Sequence, residues 1–154
     1  MPGAAALEPY FCRFVSLGMA GASPAELQAL GREAEHAMLT ATGGVNTHKG
    51  ALYSFALLLS ALGRSLTEGG DPFHTAAAIA GALPPASGTH GSPVRAQCGG
   101  VRQEAISGFP TARHMRELLS RSGALAALTW SMSRLDDSTL VYRGGPEGLR
   151  YVRQ

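Results

Sequence analysis

Lys49 and Asn46 are the only lysine and the only asparagine in a chain of 154 residues that carries twelve arginines. Both fall within Gly43-Gly44-Val45-Asn46-Thr47-His48-Lys49-Gly50. An ammonium, a carboxamide, a hydroxyl and an imidazole in four consecutive positions, flanked by glycines, suit the binding of an anion. Lysine is a compact point charge where arginine is a planar fork. A chain that otherwise uses arginine therefore keeps lysine where a small cation suits the site. Gly43-Gly44 ends one helix, because glycine accepts the left-handed cap conformation, and Thr47 is the candidate cap of the next. At such a helix start the first N–H groups lack intrahelical partners and the macrodipole leaves about half a positive charge. Phosphate is favoured there. On this reading Gly44, Asn46, Thr47, His48, Lys49 and Gly50 contact a nucleotide. Asn46 bonds a hydroxyl or the base, Lys49 and the helix start take phosphates, and Gly50 lets a bulky group approach the backbone. The spacing GxxxxGK[ST] is absent and no strand precedes the stretch, so it is not a P-loop. The plain alternative is that Asn46 and Thr47 cap a helix while Lys49 is solvated.

Further groups with chemical potential lie downstream. Asp136-Asp137 ends a long helix, where the negative pole is a poor place for carboxylates. A bound Mg²⁺ or an arginine would compensate them, and solvated loop carboxylates are the alternative. Arg143-Gly144-Gly145 forms a turn able to lay a guanidinium on phosphate oxygens, or an ordinary glycine turn. Arg102 and Glu104 precede Ser107-Gly108-Phe109-Pro110, which breaks two helices and can hold a loop over a site. His90 sits in Thr89-His90-Gly91, within a Pro/Gly/Ser-rich loop. His36, His74 and His114 lack partners at metal-ligand spacing and read as structural or surface residues. Cys12 and Cys98 are isolated and read as reduced core thiols.

The elements that must position these groups are helical nearly throughout. Ser23-Pro24-Ala25-Glu26 is a helix start with a capping box, and Leu27, Leu30, Ala34, Met38 and Ala41 recur on one face. A second helix follows Thr47, with Ala51, Leu52, Phe55, Leu58, Leu59 and Leu62 lining a broad apolar face up to Gly63. Asp71-Pro72 opens an alanine-rich helix that stops at Pro84-Pro85. Segments 93–107, 110–122 and 124–135 read as helices, the last carrying Leu125, Leu128, Trp130 and Met132. An N-terminal helix spans about Tyr10 to Leu17. Thr139 to Tyr142 alone has strand character, too short to found a sheet. The expectation is an all-α chain, a single domain over 1–154, folded as a compact bundle of about six to seven helices.

Composition narrows the classes. The chain is 45% hydrophobic and 16% charged, with a formal charge of +2. That is globular composition, and the weak charge with scattered arginines argues against a nucleic-acid partner. No apolar run reaches the roughly 18 residues of a membrane span. No secretory signal is visible, so a cytoplasmic location is expected.

In series, A-T-G-G-V-N-T-H-K-G-A (41–51), T-H-G (89–91), S-G-F-P (107–110) and D-D-S-T-L-V-Y-R-G-G (136–145) resemble the triphosphoribosyl-dephospho-coenzyme A synthases. These build the prosthetic-group precursor of citrate lyase and malonate decarboxylase. Pro9-Tyr10-Phe11 and Gly31-Arg32-Glu33-Ala34-Glu35 extend the resemblance. It implies an all-helical transferase that joins ATP to 3′-dephospho-CoA, expels adenine, and leaves a triphosphorylated ribose on the 2′-hydroxyl. On that basis Asn46, Thr47, His48 and Lys49 are expected at ATP, and Asp136 and Asp137 on Mg²⁺ or beside C1′. Glu104 is expected to activate the acceptor hydroxyl. Arg102, Arg143, Gly144 and His90 are expected to contact substrate. The chain departs from the family pattern in starting after its Pro-Gly-Leu-Val-Asp segment and in a short C-terminal end. Gln103 stands in place of glycine, and Ser138-Thr139 in place of Thr-Asn. These departures leave open a truncated product, half of a split enzyme with a complementing N-terminal polypeptide, or a degenerate copy. The alternative functions are a truncated or split, non-catalytic nucleotide-binding helical subunit, or an unrelated helical interaction module.

Overall fold

The structure, a computed structural model, describes residues 2–84, 100–134 and 147. Among them there are six helices and no strand. These are α1 (Pro2–Met19), α2 (Pro24–Ala41), α3 (Lys49–Glu68), α4 (Pro72–Ala82), α5 (Gly100–Ile106) and α6 (Pro110–Arg134). The all-α expectation holds. Contacts within the chain group into two compact units, Met1–Pro84 and Pro85–Gln154.

Local chemistry explains most boundaries in the first unit. Ser23 and Glu26 form the expected capping box: the Glu26 amide donates to Ser23 Oγ, and the Ser23 amide donates to Glu26 Oε2 at 2.8 Å. Asp71 accepts from the Phe73 amide at 3.2 Å and opens α4. The end of α2 is a Schellman motif, with Gly43 at φ 64°, the Gly44 amide donating to Leu39 O and the Gly43 amide to Thr40 O.

Packing supplies what these signals do not. α1 lies against α3 and α2, and α3 also lies against α4. Phe14, Met38 and Leu57 are its largest fully buried side chains, joined by Leu27, Leu30 and Ala34 of α2 as expected. α1 and α3 meet almost backbone to backbone. A Cβ on Gly18 would stand 1.9 Å from Ser60 O, and one on Gly63 would stand 2.0 Å from Val15 O. The buried Ser60 Oγ donates to Phe14 O at 3.1 Å across the same seam.

This seam corrects several expectations. Gly63 does not end α3, which continues to Glu68. Its lack of a side chain serves a helix crossing rather than a stop. The buried face of α3 is Leu52, Ala56, Leu57, Ser60, Ala61 and Gly63, while Phe55 and Leu62 are 46% and 40% exposed. Small residues win the interior because they allow the close approach, which larger ones would prevent. α1 extends well beyond Tyr10–Leu17 and runs through Pro9. Ala41 is exposed at the frayed last turn of α2, and Cys12 is a free, exposed thiol rather than a core one.

In the second unit, α5 ends in another Schellman motif. Gly108 at φ 79° and Phe109 at φ 54° turn the chain, and the Phe109 amide donates to Glu104 O at 2.8 Å. Non-glycine residues rarely adopt positive φ. Phe109 does so while only 2% exposed, so burial of its ring offsets the strain. α6 is interrupted at Gly123 (φ 83°, ψ 174°), where 110–122 and 124–135 had been expected to part. The break lets the His114 ring meet Trp130, with ring centroids 4.2 Å apart. Leu125 and Leu128 are exposed, while Ala127 and Ser131 are buried.

Two surface carboxyls are held below their ordinary value of 4.5: Glu33 chiefly by its hydrogen bonds from Arg13, Glu26 chiefly by that from the Ser23 hydroxyl. A folded-state value below the unfolded one gives stability that is complete above about 4.5 and lost as pH falls through the folded value. The melting temperature is therefore expected to decline on acidification below 4.5. A Glu26→Gln, Glu33→Gln variant should show a shallower decline in the same scan, by a small margin because both groups face solvent.

Candidate functional site

Residues 42–50 form the corner between α2 and α3, and each polar side chain there has a definite engagement. The corner is pinned first by Thr42, whose Oγ1 lies 2.9 Å from Met38 O and 2.6 Å from Val45 O. It therefore ties the last turn of α2 to the loop. Asn46 Oδ1 accepts from the Lys49 amide at 3.0 Å, which occupies one of the donors left over at the start of α3. The amides of Gly50 and Ala51 make no hydrogen bond among the described residues, and the first intrahelical bond runs from the Leu52 amide to His48 O.

Thr47 was the expected cap of this helix, and it is not. His48 holds the N-cap position without a side-chain bond, and Thr47 Oγ1 is instead 2.7 Å from His48 Nδ1. Gly3 of α1 packs tightly on this loop: a Cβ there would come within 2.6 Å of Thr47 Oγ1, 2.9 Å of Thr42 Cγ2 and 3.3 Å of His48 Nδ1. The Thr47 hydroxyl and the His48 ring thus lie together against the start of α1. Gly3→Val is expected to break the Thr47–His48 bond, and a shift of the His48 ring resonances would report it.

Lys49 is not merely solvated. Its Nζ lies 2.6 Å from Glu35 Oε1, the two side chains being 46% and 29% exposed. Glu35 was not singled out as a site residue, although a signal existed. It stands eight positions before Gly43 and Lys49 five after Gly44, so opposite charges lie on either side of the glycine stop, within reach once the chain turns there. The arrangement offers a cation and unused helix-start amides on one surface corner. A cavity of about 320 Å³ lined by Gly18, Ser60, Arg64 and His74, among others, takes in none of these residues. Arg64 is fifteen residues along α3 from Lys49, roughly 22 Å by helical rise.

In the second unit, Glu104 Oε1 accepts from the Thr111 amide at 2.7 Å. One of its oxygens thus bridges the end of α5 to the start of α6. Arg102 lies on α5, partly exposed. His90, Asp136, Asp137, Arg143 and Gly144 lie outside the described residues, as do Cys98 and the start of the expected helix over 93–107. Among the described residues no three His, Cys, Asp or Glu side chains gather to hold a metal, and no helix is long and apolar enough to cross a membrane.

Comparison with known proteins places this corner in context. The sequence pattern of the ATP:dephospho-CoA triphosphoribosyl transferase family matches residues 1–154. The chain is 39% identical over 145 residues to the "Probable 2-(5''-triphosphoribosyl)-3'-dephosphocoenzyme-A synthase" of Pseudomonas fluorescens, covering 83% of this chain and 50% of that protein. It is 37% identical over 180 residues to the protein so named in Albidiferax ferrireducens, covering 97% and 59%. With the Salmonella typhi protein numbered 1 under that name, identity is 34% over 186 residues, covering 97% and 60%. The chain thus spans between half and three-fifths of the length of these relatives. No solved structure matches it.

Proposed function

Because the chain belongs to the ATP:dephospho-CoA triphosphoribosyl transferase family, we propose that it is a transferase acting on ATP and 3′-dephospho-CoA. The product is 2′-(5″-triphosphoribosyl)-3′-dephospho-CoA, with release of adenine. One observation carries the reading beyond the family: the start of α3 presents Lys49 beside amides of Gly50 and Ala51 that have no partner among the described residues. Such a corner favours a polyphosphate, because the amides and the helix dipole act on the same charge as the ammonium.

The proposed reaction is a displacement at C1′ of the ATP ribose. The 2′-hydroxyl oxygen of dephospho-CoA forms a bond to C1′ and the C1′–N9 bond breaks. The bonding pair leaves with adenine, which takes up a proton, and the hydroxyl proton passes to a base. C1′ gains cationic character as the bond opens, so a nearby carboxylate stabilises the transition state. A donor to the adenine ring eases its departure. The triphosphate must be held intact meanwhile, which is the part assigned to Lys49, Gly50 and their neighbours. Asn46 braces the corner through the Lys49 amide, which leaves its carboxamide nitrogen for the nucleotide. Thr47 and His48 act as a bonded pair at its edge.

Glu104 is proposed as the base, through the oxygen not given to Thr111, and Arg102 as a phosphate contact. His90, Arg143 and Gly144 are proposed as substrate contacts. Asp136 and Asp137 are the candidates for Mg²⁺ or for C1′.

The test is to incubate the purified chain with ATP, Mg²⁺ and 3′-dephospho-CoA and to look for free adenine by chromatography. Adenine appearing with the triphosphoribosyl product is the expected result. ATP binding without adenine release would instead support a non-catalytic nucleotide-binding subunit, and no binding at all would sink both readings.

A further inference from the structure

We propose that Glu35 is a positioning residue for Lys49: from α2 it holds the ammonium at the start of α3, so that the ammonium's remaining donors meet an incoming polyphosphate. The proposal rests on the reading of residues 42–50 as a polyphosphate corner and adds a residue to it.

The physical case begins with lysine itself. Its side chain is a flexible stem carrying three donors, and ordering it costs rotamer entropy. A lysine left to solvent would incur that cost when ligand binds. Here Glu35 Oε1 sits 2.6 Å from Nζ and restrains it. That contact takes one donor and leaves two, and the side chain keeps 46% of its surface exposed. Glu33, two residues earlier on α2 and so on a different face of the helix, is not an alternative partner. Both of its oxygens are bonded to Arg13, at 2.7 and 2.8 Å.

The pair contributes little to stability, since solvent screens ion pairs this exposed. Its effect lies in direction. A lysine paired with a glutamate on an adjacent helix is also how protein kinases aim an ammonium at nucleotide phosphates. The covalent neighbours agree with such a role. Lys49 is the first residue of α3, and its own amide is fixed by Asn46 Oδ1. Backbone and side chain of Lys49 are thus each held by one partner.

The chain offers an unusually direct test, because Lys49 is its only lysine. Labelling lysine with ¹⁵N at the side chain gives a single Nζ resonance. That resonance is recorded for the wild type, Glu35→Gln and Glu35→Asp, each titrated with inorganic triphosphate. Triphosphate is expected to move the wild-type signal. Glu35→Gln is expected to displace the ligand-free signal and to weaken triphosphate binding at least fivefold, with the melting temperature nearly unchanged. Glu35→Asp is expected to recover part of the affinity, which a merely structural contact would not predict. If triphosphate moves the wild-type and Glu35→Gln signals alike, with affinities within twofold, Glu35 has no positioning role while the polyphosphate corner stands. Tighter binding by Glu35→Gln would make the carboxylate a competitor and would also overturn the proposal. If triphosphate leaves the wild-type signal unmoved, the corner falls and Glu35 with it.

Discussion

Lys49→Ala is expected to weaken ATP or triphosphate binding by about 10- to 100-fold, because a hydrogen bond to a charged group contributes about 1.5–3 kcal/mol. In a preparation that releases adenine, the same change should reduce release at least as far. The helical signal should be unaffected, since the Lys49–Glu35 pair is exposed and adds little to stability. Lys49→Arg is the sharper variant. It keeps the charge but replaces a compact ammonium by a planar fork, and twelve arginines elsewhere show that the chain has no general aversion to that side chain. Arginine is therefore expected not to restore adenine release. Wild-type affinity and release in Lys49→Ala would remove Lys49 from the site, and with it the observation on which the functional reading depends.

Gly18→Ala is expected to be the most destabilising methyl group that can be added to the first unit. Its Cβ would lie 1.9 Å from Ser60 O, and the neighbouring Cα of Ser60 would be at 2.9 Å. Both are backbone atoms in the middle of α3, so no rotamer change relieves the clash and the two helices must separate. Overpacking a core costs typically about 1–3 kcal/mol, and a backbone obstacle places this case at or above the upper figure. For a unit of this size, about 3 kcal/mol corresponds to roughly 12–24 °C in the melting midpoint. Gly63→Ala should behave alike, with Val15 O at 2.0 Å. Gly31→Ala is the internal control. It is also a helical glycine, but nothing lies within 4 Å of its added Cβ. Alanine there should stabilise by roughly 0.5–1 kcal/mol through helix propensity. Thermal unfolding followed by helical circular dichroism compares the three. Equal midpoints for Gly18→Ala and Gly31→Ala would refute the close crossing of α1 and α3.

The two predictions separate two kinds of information in the chain. What was legible from the residues alone was local. The Ser23–Glu26 box, the Asp71 cap, the Gly43-Gly44 stop and the break at Gly123 each depend on backbone conformation or on bonds spanning at most five positions. Such signals survive without knowledge of what packs against them. They were enough for the helical class, the order of the elements and the place of residues 42–50 between two helices.

The tertiary structure decided which surfaces meet. Periodicity marks apolar positions on α3 but cannot say that Ser60 and Gly63, rather than Phe55 and Leu62, face α1. That choice belongs to Gly18 and Val15, some forty residues away in sequence, because only small facing residues permit so close a crossing. The same holds at the corner. Thr47 has the chemistry of a cap, yet its hydroxyl bonds His48 beside Gly3 of α1, and Asn46 takes the helix-start amide instead. Glu35 becomes Lys49's partner only when the turn at Thr42 brings α2 and α3 together. Short-range bonds can be read from neighbours in the chain, whereas the direction of a charged side chain depends on partners that folding supplies.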